Sequence, residues 1–295
     1  MNIKKAVCLL LATLLVLSAA ACGKADPADT DAVRVALDKF RNCESFTAVQ
    51  LSRQQERIVE EGTEYEYGLV NEVEMNVITA PSFQLETTTT SSIEFDGELS
   101  SQTITSYILP ENGGYTEYFN NGTEWYKLST QDADIMSGIG ADAIIKSFFV
   151  DSVDFRRVGE EERNGLKAAR YEGRLEGEEL VKLLESSGYL GSIASMSENQ
   201  QSQIKKLFAK ELKAVTVLVW LDEGSGYPVG FEVNMAQVLK ALGESVAKST
   251  GSGESQLNIS EYVISMSLKN FNAVGDIVLP AEAATAQVYE VPEQG

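Results

Sequence analysis

Residues 65–95 read YEYGLVNEVEMNVITAPSFQLETTTTSSIEF and contain two segments in which apolar and polar residues alternate. One parity carries Tyr65, Tyr67, Leu69, Val73, Met75 and Val77, and after Ala80-Pro81 the pattern resumes with Phe83, Leu85, Ile93 and Phe95. Strict alternation is typical of β-strands with one buried face and one face in water. Each segment is about twice as long as a usual strand of roughly 5–6 residues. The stretch therefore predicts two unusually long antiparallel strands.

Turn signals on either side extend this sheet. Asp96-Gly97 predicts a tight turn into a strand from Glu98 to Leu109. Two more hairpins are predicted, at residues 115–128 and at residues 153–175 around Arg163-Asn164-Gly165. The segment from Phe46 to Ile58 alternates less cleanly, which favours an edge strand. Because long strands twist and coil, we expect a long, strongly curved antiparallel β-sheet whose apolar concave face needs a cover.

The hairpin at residues 115–128 turns at Asn120-Asn121-Gly122-Thr123 and concentrates aromatic residues. These are Tyr115, Tyr118, Phe119, Trp125 and Tyr126. They either pack against each other across the strands or form the lip of an apolar cavity.

Helical periodicity appears before and after the long strands. From Thr30 to Phe40, Val33, Leu37 and Phe40 share one face, and Thr30 is predicted to be the N-cap. The helix predicted at residues 197–212 carries the basic cluster Lys205–Lys213, which either is a solvated face or docks on a membrane or a partner. The other predicted helices span residues 131–150, 178–184 and 238–246.

The start of the chain resembles the signal of a bacterial lipoprotein. Lys4 and Lys5 precede an apolar run that begins at Ala6, and small residues then lead to Cys22. In such signals a peptidase cuts before a cysteine that carries lipid, and leucine usually stands where this chain has Ala19. Cys22 is therefore interpreted as the lipidation site of a protein held at the extracytoplasmic face of the cell membrane.

This interpretation divides the chain into four parts. They are a lipoprotein signal peptide at residues 1–21, a lipidated tether at residues 22–29, a single domain at residues 30–283 and an acidic C-terminal tail at residues 284–295.

The composition excludes several classes of function. The formal net charge is −20, whereas nucleic-acid binding needs lysine and arginine to neutralise phosphates. The absence of histidine removes the commonest general base, the commonest zinc ligand and every Ser-His or Cys-His pair. Cys8 and Cys22 are assigned to the signal and the anchor, so Cys43 has no disulfide partner and is predicted to be a small buried hydrophobe. No cofactor motif, metal-ligand spacing or carboxylate pair stands out, and we expect no enzyme activity.

The last third of the chain resembles a known superfamily. The apolar strand Val215–Leu221 ends in Trp220-Leu221. Asp222, a glycine-rich turn and Pro228 follow it. Asn270-Phe271-Asn272 and the apolar segment Ile277–Pro280 close the pattern. This order is similar to the C-terminal portion of the LolA-type envelope lipoprotein carriers and of the actinobacterial lipid-binding lipoproteins of the LppX and LprG kind. The resemblance implies an α+β fold in which an unclosed β half-barrel wraps over a few helices, with an apolar cavity between them.

Two functions of different class stay open. The first is to bind or carry a hydrophobic ligand, a lipid or a lipidated molecule, in the apolar cavity. The alternative is a non-enzymatic envelope interaction or scaffold module with a filled core, which would contact another envelope protein through an edge strand or through Lys205–Lys213. The candidate cavity residues are Tyr65, Tyr67, Leu69, Phe83, Leu85, Trp220, Phe231, Tyr262 and Ile264.

Overall fold

Twelve β-strands form one sheet in the computed structural model of the protein, which describes residues 25–60, 63–130, 140–176, 180, 201–202, 206, 214–241, 244 and 256–289. In chain order they are β1 (Ser45–Glu60), β2 (Thr63–Ile78), β3 (Gln84–Phe95), β4 (Glu98–Glu111), β5 (Gly114–Asn120), β6 (Trp125–Thr130), β7 (Phe155–Arg163), β8 (Leu166–Leu175), β9 (Val215–Asp222), β10 (Pro228–Asn234), β11 (Gln256–Lys269) and β12 (Gln287–Val288). Across the sheet the order is β12-β6-β5-β4-β3-β2-β1-β11-β10-β9-β8-β7. The pairs are antiparallel except for β12 and β6, which run parallel.

The sheet is unclosed, because within the described residues the end strands β7 and β12 each pair with a single neighbour. Its inner face packs on helix α1 (Pro27–Arg41) and on the shorter helix α2 (Ala141–Ser147). Residues 236–241 are also helical. The predicted α+β half-barrel of long antiparallel strands over a few helices is therefore confirmed.

Tight turns connect the long strands. Asp96 and Gly97 have φ values of 49° and 82°, and Asn164-Gly165 likewise adopts positive φ at both positions. A two-residue hairpin of this kind matches the twist of the strands but requires left-handed backbone, which Asn, Asp and Gly tolerate best. Both predicted turns are confirmed.

The prediction that the first long segment is an edge strand is wrong. β1 lies in the middle of the sheet, paired along its length with β2 on one side and β11 on the other. Its alternation is weak because its inward positions carry Gln50, Ser52 and Gln54, which are only half-buried. These polar residues are tolerated because core side chains do not cover this part of the inner face.

Helix α1 begins earlier than predicted and covers an exposed sheet edge. Asp26 is the N-cap and accepts a hydrogen bond from the backbone N–H of Ala28. Thr30, the predicted cap, is 2% exposed, and its hydroxyl accepts a hydrogen bond from the Phe155 N–H at 2.8 Å. The backbone N–H of Asp26 donates to the Phe155 carbonyl, and the Asp29 carboxylate accepts from the Arg157 N–H. The start of the helix thus provides hydrogen-bond partners for backbone groups on the free edge of β7. Unpaired backbone groups on an edge strand promote aggregation.

The main core lies between α1 and the inner face of the sheet. Phe40, at the end of α1, is fully buried, and its ring centroid lies 4.9 Å from that of Phe46 and 6.4 Å from that of Phe231. Cys43 is 4% exposed, as predicted, and burial raises the pKa of its thiol to about 11. The thiol therefore stays protonated and packs as an apolar group.

The C-terminal residues cover part of the outer face. Ala283 and Ala286 pack over Tyr107 and Tyr118 of β4 and β5, and all four are buried. Strand β12 then pairs with β6. Ala286 and β12 lie inside the segment interpreted as an acidic tail, Ala283 is the last residue of the predicted domain, and α1 begins inside the predicted tether.

Several predictions fall outside the described residues. They are the signal peptide at residues 1–21 with Cys22, most of the helices at residues 178–184 and 197–212, residues 131–139 of the helix at 131–150, and most of the basic cluster Lys205–Lys213.

Asp222 organises the turn between β9 and β10. Its carboxylate accepts hydrogen bonds from the N–H groups of Ser225, at 2.7 Å, and of Gly224, at 3.3 Å. Hydrogen bonding from Ser225, by its side chain and then by its backbone, holds the pKa of Asp222 below its ordinary value of 3.8. The ionised carboxylate is thus the form that stabilises the fold.

We expect Asp222→Ala to lower the free energy of unfolding at pH 7 by about 1–3 kcal/mol, because charge-assisted hydrogen bonds are lost. Because the pKa of Asp222 is lower in the folded than in the unfolded protein, its carboxylate stabilises the fold at pH values above the unfolded pKa. This contribution disappears as the pH falls through the folded pKa. Urea unfolding of both proteins at several pH values would therefore show a difference that shrinks below pH 3.8. A difference that is constant with pH would contradict this role of the carboxylate.

Candidate ligand-binding trough

The inner face of β1–β4 and β11 is packed at one end and open at the other. Directly paired residues of antiparallel strands point to the same face, so the pairing register defines rows across the sheet. At the base, Phe46, Val77, Leu85 and Ile108 form one row in which every side chain is buried. The inward side chains beyond this end line a concave surface that we call the trough.

Exposure rises steadily from the base to the mouth of the trough. Along β2, Val77 is fully buried, whereas Val73 and Tyr65 are half-buried. Along β3, exposure rises from 2% at Leu85 to 47% at Phe95. The rings of Tyr65 and Phe95 stack at the mouth with centroids 5.9 Å apart. Large apolar side chains therefore line a surface that the core does not cover.

The structure separates the predicted cavity residues into two groups, apart from Trp220. Phe83, Leu85 and Phe231 belong to the packed core at the base, where each is at most 2% exposed. The residues at half-buried inward positions of the trough are Tyr65, Tyr67, Leu69, Tyr262 and Ile264. That this second group contacts a ligand stays a prediction.

The predicted inward orientation of Trp220 is wrong. Val219 pairs with the buried Phe231, whereas Trp220 pairs with Gly230 and points to the outer face. There it packs with Ala168 and Val229, and the Arg163 guanidinium lies 3.8 Å from its ring centroid. Strand β9 is apolar on both faces, so its sequence has no alternation from which the orientation can be read.

Gly230 makes room for the Trp220 indole. A Cβ atom at Gly230 would lie 3.4 Å from Cε3 of Trp220 and 3.1 Å from the Met266 carbonyl oxygen. A side chain at this position would therefore press on both the ring and the neighbouring strand.

The aromatic hairpin of β5 and β6 is divided between the two faces. Tyr115 packs edge-on against Phe83 near the base of the trough. Tyr118 and Trp125 lie under the C-terminal residues on the outer face. Phe119 and Tyr126 stack at 5.6 Å, and Tyr289 packs against both. Phe119 and Tyr126 thus pack across the hairpin, whereas the other three aromatic residues pack against Phe83, β4 and the C-terminal residues.

A row of polar side chains, missed by the sequence reasoning, crosses the trough at mid-depth. It consists of Ser52, Asn71, Ser91 and Gln102, which the register pairs in this order across β1, β2, β3 and β4. The signal for it was present, because Ser52 and Asn71 interrupt the apolar parity of their strands. The predicted edge position of β1 gives no register between Ser52 and Asn71, so the sequence alone does not place them in one row.

The trough is acidic where it is charged. Glu117 of β5 pairs with Ile108 and therefore extends the base row, with its half-buried carboxyl on the inner face. Burial raises the pKa of Glu117. Glu56 lies at the mouth, paired with Tyr67, and its carboxylate accepts a hydrogen bond from Gln54. The described residues contain no group of acidic or cysteine side chains placed to hold a metal ion.

Two hollows are distinct from the trough, although one of them adjoins its mouth. A groove of about 680 Å³ runs between α1 and strands β8 and β9, lined by Ala32, Val35 and Tyr171 among others. A polar hollow of about 380 Å³ lies near the mouth, where Gly68 leaves a gap between Gln55 and Glu94. Neither is lined by the predicted cavity residues, with the exception of Tyr67 at the edge of the polar hollow.

No helix within the described ranges is both long enough and apolar enough to cross a bilayer.

Comparison with known proteins finds similarity at the level of structure. No family model and no curated protein matches the chain. The solved structure of lipoprotein LppX from Mycobacterium tuberculosis is similar over 86% of this chain and 100% of that one, with 13% sequence identity and a TM-score of 0.41. LprF from Mycobacterium bovis is similar over 88% of this chain and 100% of that one, with 11% identity and a TM-score of 0.44. A DUF1329 family protein from Desulfovibrio piger matches 85% of this chain and 94% of its own length at 10% identity and a TM-score of 0.21.

Proposed function

We propose that this protein is a membrane-anchored extracytoplasmic lipoprotein that binds a hydrophobic ligand, a lipid or a lipidated molecule, in the trough. The observation that carries the proposal is the half-buried apolar lining above a packed base. The burial of Tyr67, Leu69 and Tyr262 is incomplete, and each further Å² of apolar surface removed from water contributes about 25 cal/mol. An acyl chain laid along the trough would complete it.

The fold supports binding rather than catalysis. The base of the trough is closed by core side chains such as Phe83 and Phe231, so a ligand would rest on a packed floor. The walls offer aromatic and aliphatic groups with a few polar ones, which is the usual composition of sites for apolar ligands. Within the described residues the trough presents no nucleophile paired with a base.

Uptake of lipid by the purified protein tests the proposal. The full-length chain is incubated with a bacterial lipid extract in micelles of an uncharged detergent and is examined by native mass spectrometry. The expected result is protein carrying additional mass of lipid. If neither freshly purified nor incubated protein carries lipid, the proposal fails and an interaction module with a filled core becomes the better reading.

The anchor makes a separate prediction. The mature protein is expected to begin at Cys22 and to carry two acyl chains on its sulfur-linked glyceride, because two chains hold a protein on a bilayer whereas one is marginal. Intact mass measurement of the membrane fraction checks this. Cys22→Ala is expected to yield chains without lipid mass, and Cys43→Ala, which removes the buried thiol, provides the matched control. Lipid mass retained on the Cys22→Ala protein would contradict the assignment.

A further inference from the structure

The polar row of the trough is available to a ligand. Ser52, Asn71 and Ser91 are half-buried, and their side chains have no hydrogen-bond partner within the described part of the chain. Polar groups in such a position bond to water or to a ligand, because leaving them unmet costs free energy. A purely hydrocarbon ligand would bury these groups without forming hydrogen bonds to them.

Apolar side chains flank the polar row on both sides. Val73 and Met266 lie toward the base, and Leu69 and Tyr262 lie toward the mouth. The flanking positions of β1 and β3 include further polar residues, Gln50, Gln54 and Thr89, so the hydrogen-bonding groups form a patch that lies beside apolar side chains of β2 and β11. A ligand that matches this patch carries polar groups along its length as well as acyl chains.

The inner face also has a definite charge. In β1–β6 and β9–β11, every lysine and arginine occupies an outward register position. These residues are Arg53, Arg57, Lys127 and Lys269. The inward charges of the same strands are carboxyl groups, which include Glu56 and Glu98 at the mouth of the trough and Glu117 in the base row. An anionic group in the trough would meet carboxyl groups and, among the described residues of these strands, no compensating cation.

Resting on the proposed function above, we infer that the trough selects an uncharged, hydrogen-bonding amphiphile of the acylglycerol class over anionic lipids. The ester and hydroxyl groups of such a ligand form hydrogen bonds with Ser52, Asn71 and Ser91, and its acyl chains lie against the neighbouring apolar side chains of β2 and β11. A phosphate or carboxylate is disfavoured because it loses hydration in the trough without gaining a positive partner.

Competition between two lipids with identical acyl chains tests the inference. The full-length protein is incubated with equal amounts of dioleoylglycerol and dioleoylphosphatidylglycerol in micelles of an uncharged detergent. The bound lipid is identified by native mass spectrometry. We expect dioleoylglycerol to exceed dioleoylphosphatidylglycerol by at least about tenfold, the factor that one unmet charged or polar group commonly costs.

Adjacent serines on β3 offer a matched pair of charge variants. Ser91 points into the trough, whereas Ser92 points outward and hydrogen-bonds to Ser101 at 2.8 Å. Ser91→Lys places a cation in the polar row and is expected to reduce or invert the preference for the uncharged lipid. Ser92→Lys adds the same charge on the outer face and is expected to leave the preference within about twofold of that of the unmodified protein.

A second variant tests the hydrogen-bonding half of the inference. Asn71→Leu removes the central amide of the row but keeps a side chain of similar size. In this variant, the ratio of bound dioleoylglycerol to bound oleyl oleate, which lacks a hydroxyl group, is expected to fall by about three- to tenfold. An unchanged ratio would show that the polar row does not contact the ligand.

The outcomes separate the two proposals. If neither lipid binds, the proposed function fails and the inference fails with it. If both lipids bind equally, or the anionic lipid binds better, the trough binds lipid but the inference is overturned. A preference for dioleoylglycerol that Ser91→Lys removes and Ser92→Lys keeps supports both.

Discussion

Phe40→Ala is expected to lower the free energy of unfolding by about 3–5 kcal/mol, the range for removing a buried phenylalanine side chain. Phe40 is fully buried and is the point where α1 meets the sheet. Its ring lies against Phe46 of β1, Phe231 of β10 and Phe271, the last at 6.0 Å. Because these neighbours sit on separate elements that the rest of the fold holds in place, they cannot collapse into the space that alanine leaves. Urea unfolding at pH 7 measures the loss.

Val35→Ala provides the control on the same helix. Val35 is 69% exposed, so its truncation is expected to change stability by no more than about 0.5 kcal/mol. A similar loss for both variants would mean that α1 is stabilised by its helical propensity rather than by its buried face. A Phe40→Ala loss below about 1 kcal/mol would show that the sheet does not need α1 at its base.

Leu69→Glu is expected to weaken lipid binding by about a hundredfold while the protein stays folded. Leu69 lies between Gln54 of β1 and Ile93 of β3, at a half-buried inward position of the trough. The substitution removes apolar contact area and obliges the ligand to bury a carboxylate, and each effect costs on the order of 1–3 kcal/mol. Lipid uptake measured by native mass spectrometry across a range of lipid concentrations gives the shift.

Val70→Glu is the matched control, because the next residue of β2 points to the outer face. Val70 pairs with Arg53 and Ser92 and is 39% exposed. A carboxylate there stays in water and is expected to change lipid binding by less than about threefold. Equal losses in both variants would place the ligand elsewhere. Circular dichroism of both variants confirms that the sheet is retained.

Local sequence rules predicted the strands and turns well. The alternation in residues 65–95 predicted β2 and β3 with nearly their full length, since one face of each strand is apolar and the other is polar. Asp96-Gly97 and Asn164-Gly165 predicted their hairpins because few residues adopt positive φ. These features depend on neighbours in the chain, and the sequence therefore contains all that is needed to read them.

The orientation of Trp220 and the position of β1 could not be read in this way. Both faces of β9 are apolar, and the face that is covered by α1 differs from the face covered by Arg163 only through contacts distant in the chain. The polar inward residues of β1 weaken its alternation and predict an edge strand, whereas β1 is central because β11 pairs with it. Strand order is set by pairing between segments that are far apart in sequence.

The sequence by itself determined long alternating strands, their turns and the presence of a covering helix, because each follows from the local periodicity and backbone preferences of consecutive residues. Only the tertiary structure decided which candidate side chains fill the base and which line the trough. It also brought Ser52, Asn71 and Ser91 into one row, because these residues are distant along the chain and only the register between strands places them side by side.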